Sequence, residues 1–169
     1  MAEPSQAVLR LIAARTNPNV PYPIAMAVAE RETGFDPSPD DGAAGELGMM
    51  QILPKTAREE LGYTGPFSAL REPGLNLELG TGYLEKLYRR WHTWPEAIRA
   101  YNGSGPAARE YAAGVIRRIP AWEQFVRSNL ELFRSAQVKR AAPWILAAVA
   151  TLAVLALMAQ PGRRQELEA

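Results

Sequence analysis

Cysteine is absent from the 169 residues, and histidine occurs once, at His92. The first absence excludes a disulfide scaffold, a thiolate nucleophile and a cysteine-ligated metal. The second excludes a multi-histidine metal site and confines any Ser-His-Asp arrangement to His92. Net charge is nearly absent as well. The 19 Lys and Arg residues against 18 Asp and Glu leave +1, which gives no general reason to expect nucleic acid as a partner. No run alternates apolar and polar residues with period two, so little or no sheet is expected. Wholesale disorder is excluded in turn, because 47% of the residues are hydrophobic and 22% charged.

What is present is unevenly spread. Up to Ala136 there are 15 basic and 16 acidic residues. Beyond it come Lys139, Arg140, Arg163 and Arg164 against Glu166 and Glu168. Between the two basic pairs, Ala141 to Ala159 is a run of 19 residues without a charge. As a helix it would span roughly 28 Å, about the thickness of a bilayer core. Pro143 stands near its start and Trp144 is placed as an interfacial anchor. The run reads as a single membrane span. At the other end Arg10 interrupts Ala7 to Ala14, and Glu3 precedes it, so no export signal is read there. The expected layout is a catalytic domain over residues 1–119, an amphipathic stalk over 120–140, a transmembrane helix over 141–160 and a short polar tail over 161–169.

Helical periodicity runs through the first part. Val8, Leu11 and Ile12 mark one helix over Ser5 to Arg15. A second covers Ile24 to Thr33 and ends at Gly34. Phe35 to Leu47 is a loop rich in Asp, Pro and Gly. Pro54 to Leu61 is a short helix. Leu75 to Trp91 carries Leu79, Tyr83, Leu87 and Trp91 as its apolar stripe, with Gly80 and Gly82 expected to permit close packing. Pro95 to Tyr101, Pro106 to Ile119 and Trp122 to Phe133 complete a mainly α fold.

The second helix holds an acid on an apolar face. Glu32 follows Ala25, Val28 and Ala29 at i+7, i+4 and i+3. A carboxyl aligned with the core stripe, at the mouth of a glycine-rich loop, is partly desolvated, which raises its pKa. A carboxylic acid kept protonated near neutral pH is what glycosidic-bond cleavage needs. Glu30, two residues away, points about 200° around the helix and reads as an ion-pairing or supporting residue.

The wider pattern is Ala29-Glu30-Arg31-Glu32-Thr33-Gly34-Phe35-Asp36-Pro37, then Gly45-Glu46-Leu47-Gly48-Met49-Met50-Gln51-Ile52, then Asn76-Leu77 with Gly80 and Tyr83, then Ala100-Tyr101-Asn102-Gly103, then Glu110-Tyr111. From about Ile24 to Ile119 this resembles the SLT family of soluble-lytic-transglycosylase-like domains, whose fold is lysozyme-like. The resemblance implies Glu32 as the catalytic acid. It implies Thr33, Gly48, Met49, Met50, Gln51, Tyr101, Asn102 and Tyr111 around the substrate, with Met50 favoured to line the cleft. Thr33 stands where the family usually has Ser, and Met49 where it has Leu. The resemblance further implies cleavage of the β-1,4 bond between N-acetylmuramic acid and N-acetylglucosamine in peptidoglycan, with formation of a 1,6-anhydro product and with neither cofactor nor metal.

Asp40, Asp41 and Glu46 leave a second chemistry open. A carboxylate facing Glu32 across the cleft would activate water or attack the sugar, making the enzyme a hydrolysing muramidase; Glu46 is the leading candidate. A membrane-held glycan-binding module without catalysis is a third reading. The uncharged run, with no export signal ahead of it, points to an envelope or virion membrane. It suggests a bacteriophage protein that opens the wall locally during entry, with peptidoglycan, a bilayer and other virion or membrane proteins as partners. A bacterial wall-remodelling enzyme is the rival.

Overall fold

A computed structural model describes residues 3–135. Its helices are α1 (Gln6–Arg15), α2 (Tyr22–Thr33), α3 (Pro54–Leu61), α4 (Pro73–Trp91), α5 (Trp94–Asn102), α6 (Gly105–Ile116) and α7 (Ile119–Ser128), with a short 3-10 turn at Phe67–Arg71. Among the described residues the β pairing is one isolated bridge, Leu47 to Ile52. The mainly α expectation is met. The helix starts follow local chemistry: the Ser5 hydroxyl accepts from the Val8 N–H at 3.3 Å, and a proline stands in the first turn of each helix from α2 to α7.

The centre of the molecule is α2. Ile24 to Ala29 are all 5% exposed or less. A helix apolar all round must be surrounded, and α1, α6 and α7 pack on it. Its alanines, Ala25, Ala27 and Ala29, let those neighbours approach closely. Only the last turn emerges from the core, and it carries Glu30 and Glu32. Gly34 ends the helix in the left-handed conformation at φ 62°, its N–H bonded to the Glu30 carbonyl. Phe35 follows, also left-handed at φ 68°, and buries its ring.

Two expectations change. The buried side of α4 is Asn76, Leu77, Gly80, Thr81, Leu84 and Leu87, whereas Trp91 is 41% exposed. Gly80 does serve close packing, since a Cβ there would come within 2.6 Å of Met50 Cβ; Gly82 faces open space. The packed unit also extends past residue 119. In α7, Trp122 is 1% exposed and meets the Phe35 ring edge-on at 5.1 Å, and beyond the helix Phe133 packs on Tyr22 at 4.6 Å. These two rings pack on the domain core, while the other side chains of residues 120–133 are exposed or half-buried. Residues 136–140 of that segment, the expected span at 141–160 and the tail at 161–169 lie outside the described residues. Among the described residues no helix is long and apolar enough to cross a membrane.

Candidate active site

Glu32 stands in the last turn of α2, at the wall of a cleft lined by Glu32, Glu46, Gln51, Ile52, Leu53, Thr56, Tyr83, Tyr101 and Asn102. The other walls are the loop around the Leu47–Ile52 bridge, the start of α3, the middle of α4 and the end of α5. Burial pushes the Glu32 carboxyl up to about 7 from an ordinary 4.5. A hydrogen bond from Tyr111 and the nearby Arg31 guanidinium pull it down, and the Glu46 carboxylate pushes it up. The Tyr111 hydroxyl donates to Glu32 Oε1. Burial and the neighbouring Glu32 carboxylate push the Tyr111 phenol well up, so it stays a donor.

The opposite signs of the Tyr111 and Glu46 effects give a test. Tyr111→Phe removes a bond that favours the ionised acid, so the Glu32 pKa should rise further and the alkaline limb of activity should move to higher pH. Glu46→Gln removes a like charge, so the same limb should move to lower pH. The pH profile of kcat/KM reports the free enzyme; shifts of the same sign in both variants would contradict this electrostatic order.

The loop from Leu47 to Ile52 closes on itself through two Leu47–Ile52 backbone hydrogen bonds of 3.0 Å. Gly48 (φ 71°) and Gln51 (φ 48°) are both left-handed within it, and a non-glycine residue in that conformation is a strained position of the kind found at binding sites. Asn76 holds the loop from below. Its Oδ1 accepts the Met50 N–H at 2.6 Å, and its Nδ2 donates to the carbonyls of Leu47 and Leu70 at 2.7 and 2.8 Å. Thr33 ties the loop to α2 by donating its hydroxyl to the Met49 carbonyl at 3.0 Å. Tyr101 does the same from α5, donating to the Met50 carbonyl at 2.8 Å.

These bonds sort the residues expected around the substrate. Gln51, Tyr101 and Asn102 reach the cleft. Tyr101 offers its ring there, because its hydroxyl is committed to Met50. Asn102 has no side-chain hydrogen bond among the described residues and is exposed, so its amide is open to a ligand. Gln51 donates to the Gly48 carbonyl at 2.9 Å while lining the cleft. Met49 and Met50 are both fully buried; they are core residues, and Met50 packs on Gly80 instead of lining the cleft. Gly48 is buried too, pressed against Asn76 and the Leu70 carbonyl. Thr33 acts on the loop. Tyr111 acts on Glu32.

Of the candidate second carboxylates, Glu46 lines the cleft, with its Oε2 accepting the Ala44 N–H at 2.9 Å. Asp41 is committed to Arg71, whose guanidinium holds that carboxyl below its usual range. Asp40 and Asp41 are not among the cleft residues. Glu30 turns to the back of α2 as expected. There its Oε2 accepts from Trp122 Nε1 at 2.8 Å and lies 3.4 Å from Arg118 Nε. Sequence reasoning gave no site role to Asn76, Tyr83, Leu53 or Thr56. Asn76 stood in the motif without a role, because its three bonds reach residues 6 to 29 positions away.

The cleft thus joins an acid of raised pKa to amide and aromatic walls. The chain belongs to the Transglycosylase SLT domain family, matching it over residues 10–115. It is 29% identical over 118 residues to the soluble lytic murein transglycosylase of Escherichia coli (strain K12), and 33% identical over 104 residues to that of Salmonella typhimurium (strain LT2). Those matches cover 60% and 57% of this chain but 18% and 16% of the relatives, so the chain spans about a sixth of the length of the curated relatives it matches. Among solved structures it is similar to the 70-kDa soluble lytic transglycosylase in complex with bulgecin A. That likeness has a TM-score of 0.49 and 24% identity, and covers 66% of this chain and 19% of that one.

Proposed function

We propose that the protein is a peptidoglycan lytic transglycosylase whose single acid and base is Glu32. The observation that carries this reading is the Glu32 carboxyl itself, pushed up to about 7 by burial and steadied by Tyr111 on the wall of an open cleft. Membership in the SLT family and the names of the murein-cleaving relatives support the substrate class.

The step balances without water. The Glu32 proton passes to the glycosidic oxygen, the bond from that oxygen to the muramyl C1 breaks, and positive charge develops on the muramyl ring. The muramyl C6 oxygen closes on C1 as its proton returns to Glu32. The products are a 1,6-anhydromuramyl end and a free 4-hydroxyl on N-acetylglucosamine. Gln51 and Asn102 bring donors and acceptors suited to acetamido and hydroxyl groups, and Tyr101 supplies a ring face.

Glu46 in the same cleft favours one second reading, a muramidase in which that carboxylate activates water. Mass spectrometry of digested peptidoglycan separates the two. Anhydromuramyl ends are the expected result. Reducing muramyl ends, lost in Glu46→Gln, would establish the muramidase, and absence of cleavage would leave a glycan-binding module. The membrane tether, and with it the phage-entry role, rests on the uncharged run at 141–159. Its test is whether the full chain sediments with membranes and a chain ending at residue 140 does not.

A further inference from the structure

The family match ends at residue 115, and the chain beyond it packs behind the helix that carries Glu32. Glu30 stands on that side of α2, two residues before Glu32. Its carboxylate is a buried charge, on a side chain 7% exposed. Such a charge persists only where donors meet it. Among the donors that meet this one are the Trp122 Nε1–H at 2.8 Å and Arg118 Nε at 3.4 Å, and both lie past the family match.

Trp122 holds the same turn a second time. Gly34 and Phe35 fold back over the end of α2, with the Gly34 N–H on the Glu30 carbonyl at 3.0 Å and the Phe35 N–H on the Ala29 carbonyl at 3.4 Å. This closes the turn that holds Glu32. Phe35 is left-handed at φ 68°, and a non-glycine residue persists in that conformation only where its surroundings hold it. Its buried ring meets the Trp122 ring edge-on at 5.1 Å. The indole is 1% exposed and is backed in turn by Phe125 at 5.4 Å. One side chain therefore touches residues 30 and 35, on either side of Glu32 in the chain.

On the cleft side the turn is held by other bonds, from Tyr111 to Glu32 and from Thr33 to the Met49 carbonyl. Trp122 acts from the opposite side. Without its N–H, the Glu30 carboxylate would be left in a buried place with one donor fewer. The direct relief is a movement of the helix end toward water, and Glu32, in the same turn, would leave its place in the cleft.

We infer that Trp122, which lies outside the SLT match, is a positioning residue for catalysis: through Glu30 and Phe35 it sets the orientation of the turn that carries Glu32. The inference rests on the transglycosylase reading above and adds to it a part that the family match does not contain.

The test uses the full chain and two substitutions in the same segment. Trp122→Phe keeps a buried ring and changes no charge, but removes the N–H. Phe133→Leu is the comparison. Phe133 is 2% exposed and packs on Tyr22 in the first turn of α2, about 15 Å along the helix axis from Glu32. Each protein is assayed below its own melting range. Trp122→Phe should lower kcat on peptidoglycan about tenfold with KM unchanged. A charge-assisted hydrogen bond is worth about that factor, and misorientation of the acid falls on the chemical step. Phe133→Leu should keep the wild-type kcat, even where its Tm falls further. A second readout needs no turnover. The titration of the Glu32 carboxyl, followed by carbon NMR, should move from about 7 toward the ordinary 4.5 in Trp122→Phe and stay in place in Phe133→Leu. The groups that face Glu32, namely Arg31, Glu46, Tyr101 and Tyr111, are the same in all three proteins, so the movement reports the position of the turn. Wild-type kcat and titration in Trp122→Phe, or an equal loss of kcat in Phe133→Leu, would overturn the inference. If the wild-type protein cleaves nothing, the transglycosylase reading falls, and the Glu32 titration still decides whether Trp122 holds the acid in place.

Discussion

Glu32→Gln is expected to lower kcat about ten-thousand-fold while making the protein more stable above neutral pH. The kinetic loss sits at the upper end of general acid–base effects because one group serves as acid and then as base. The gain in stability follows from the same burial. In the unfolded chain the carboxyl ionises near 4.5, and in the native cleft near 7. Below pH 4.5 it is protonated in both states and contributes no difference. Between 4.5 and 7 the unfolded chain ionises first, so native stability falls as pH rises. Above 7 the deficit is constant, at up to about 3 kcal/mol. Glutamine keeps an oxygen to accept from Tyr111 and has no charge to desolvate, so the variant should lack this pH dependence altogether. Denaturant midpoints of the two proteins, measured at pH 4.5 and at pH 8, give the stability result; digestion of peptidoglycan gives the kinetic one. Full activity in Glu32→Gln, or identical pH profiles of stability, would remove Glu32 from the role assigned to it.

The same Glu32 was the part of the site most legible in the sequence. Its spacing from Ala25, Val28 and Ala29 predicts a half-buried carboxyl at a helix end, and helical geometry alone delivers that. Helix positions were legible for a similar reason, since proline in the first turn and Gly34 after the last turn of α2 are local signals. The face of α4 was not. Its core side presents Asn76, Gly80 and Thr81, which no hydrophobicity pattern marks, while Tyr83 and Trp91 serve a cleft and a surface. Met49 and Met50 were placed near substrate by family position, yet the loop that carries them turns their backbone toward Tyr101 and Thr33 and their side chains into the core. A left-handed Gln51 makes that turn possible, and nothing in the residue name announces it. The reach of α7 depends on Trp122 finding Glu30, 92 positions away, a pairing that local periodicity does not encode.

Asn76→Ala should be the most damaging substitution away from the reacting groups. Asn76 is fully buried, and its removal strands the Met50 N–H and the Leu70 carbonyl. The Leu47 carbonyl keeps its second bond, from the Ile52 N–H at 3.0 Å. Two unmet buried groups cost about 1–3 kcal/mol each, against a total stability of about 5–15 kcal/mol for a domain. The expected fall in Tm is roughly 10 °C or more. Activity should fall with it even below the melting range, because the freed loop carries Gln51 and the carbonyl that holds Tyr101. Asn76→Asp makes the argument sharper. The shape is unchanged and an oxygen still accepts from Met50, but the other oxygen faces two carbonyls. The acid can donate to one of them only while protonated, and burial raises its pKa, so this variant should lose stability as pH rises through and above the ordinary aspartate range. Gly48→Ala attacks the same joint from the other side. The added Cβ would sit 2.5 Å from Asn76 Nδ2 and 2.6 Å from the Leu70 carbonyl oxygen, at a φ of 71°, so either the loop or Asn76 must move. Thermal melts of the three variants across pH should rank all of them below the wild type, with only Asn76→Asp falling further behind the wild type toward alkaline pH, beyond the decline that Glu32 imposes on all four proteins. An Asn76→Asp protein whose deficit against the wild type is the same at pH 8 as at pH 4 would show that Asn76 does not donate to those carbonyls and that the loop is held by something else.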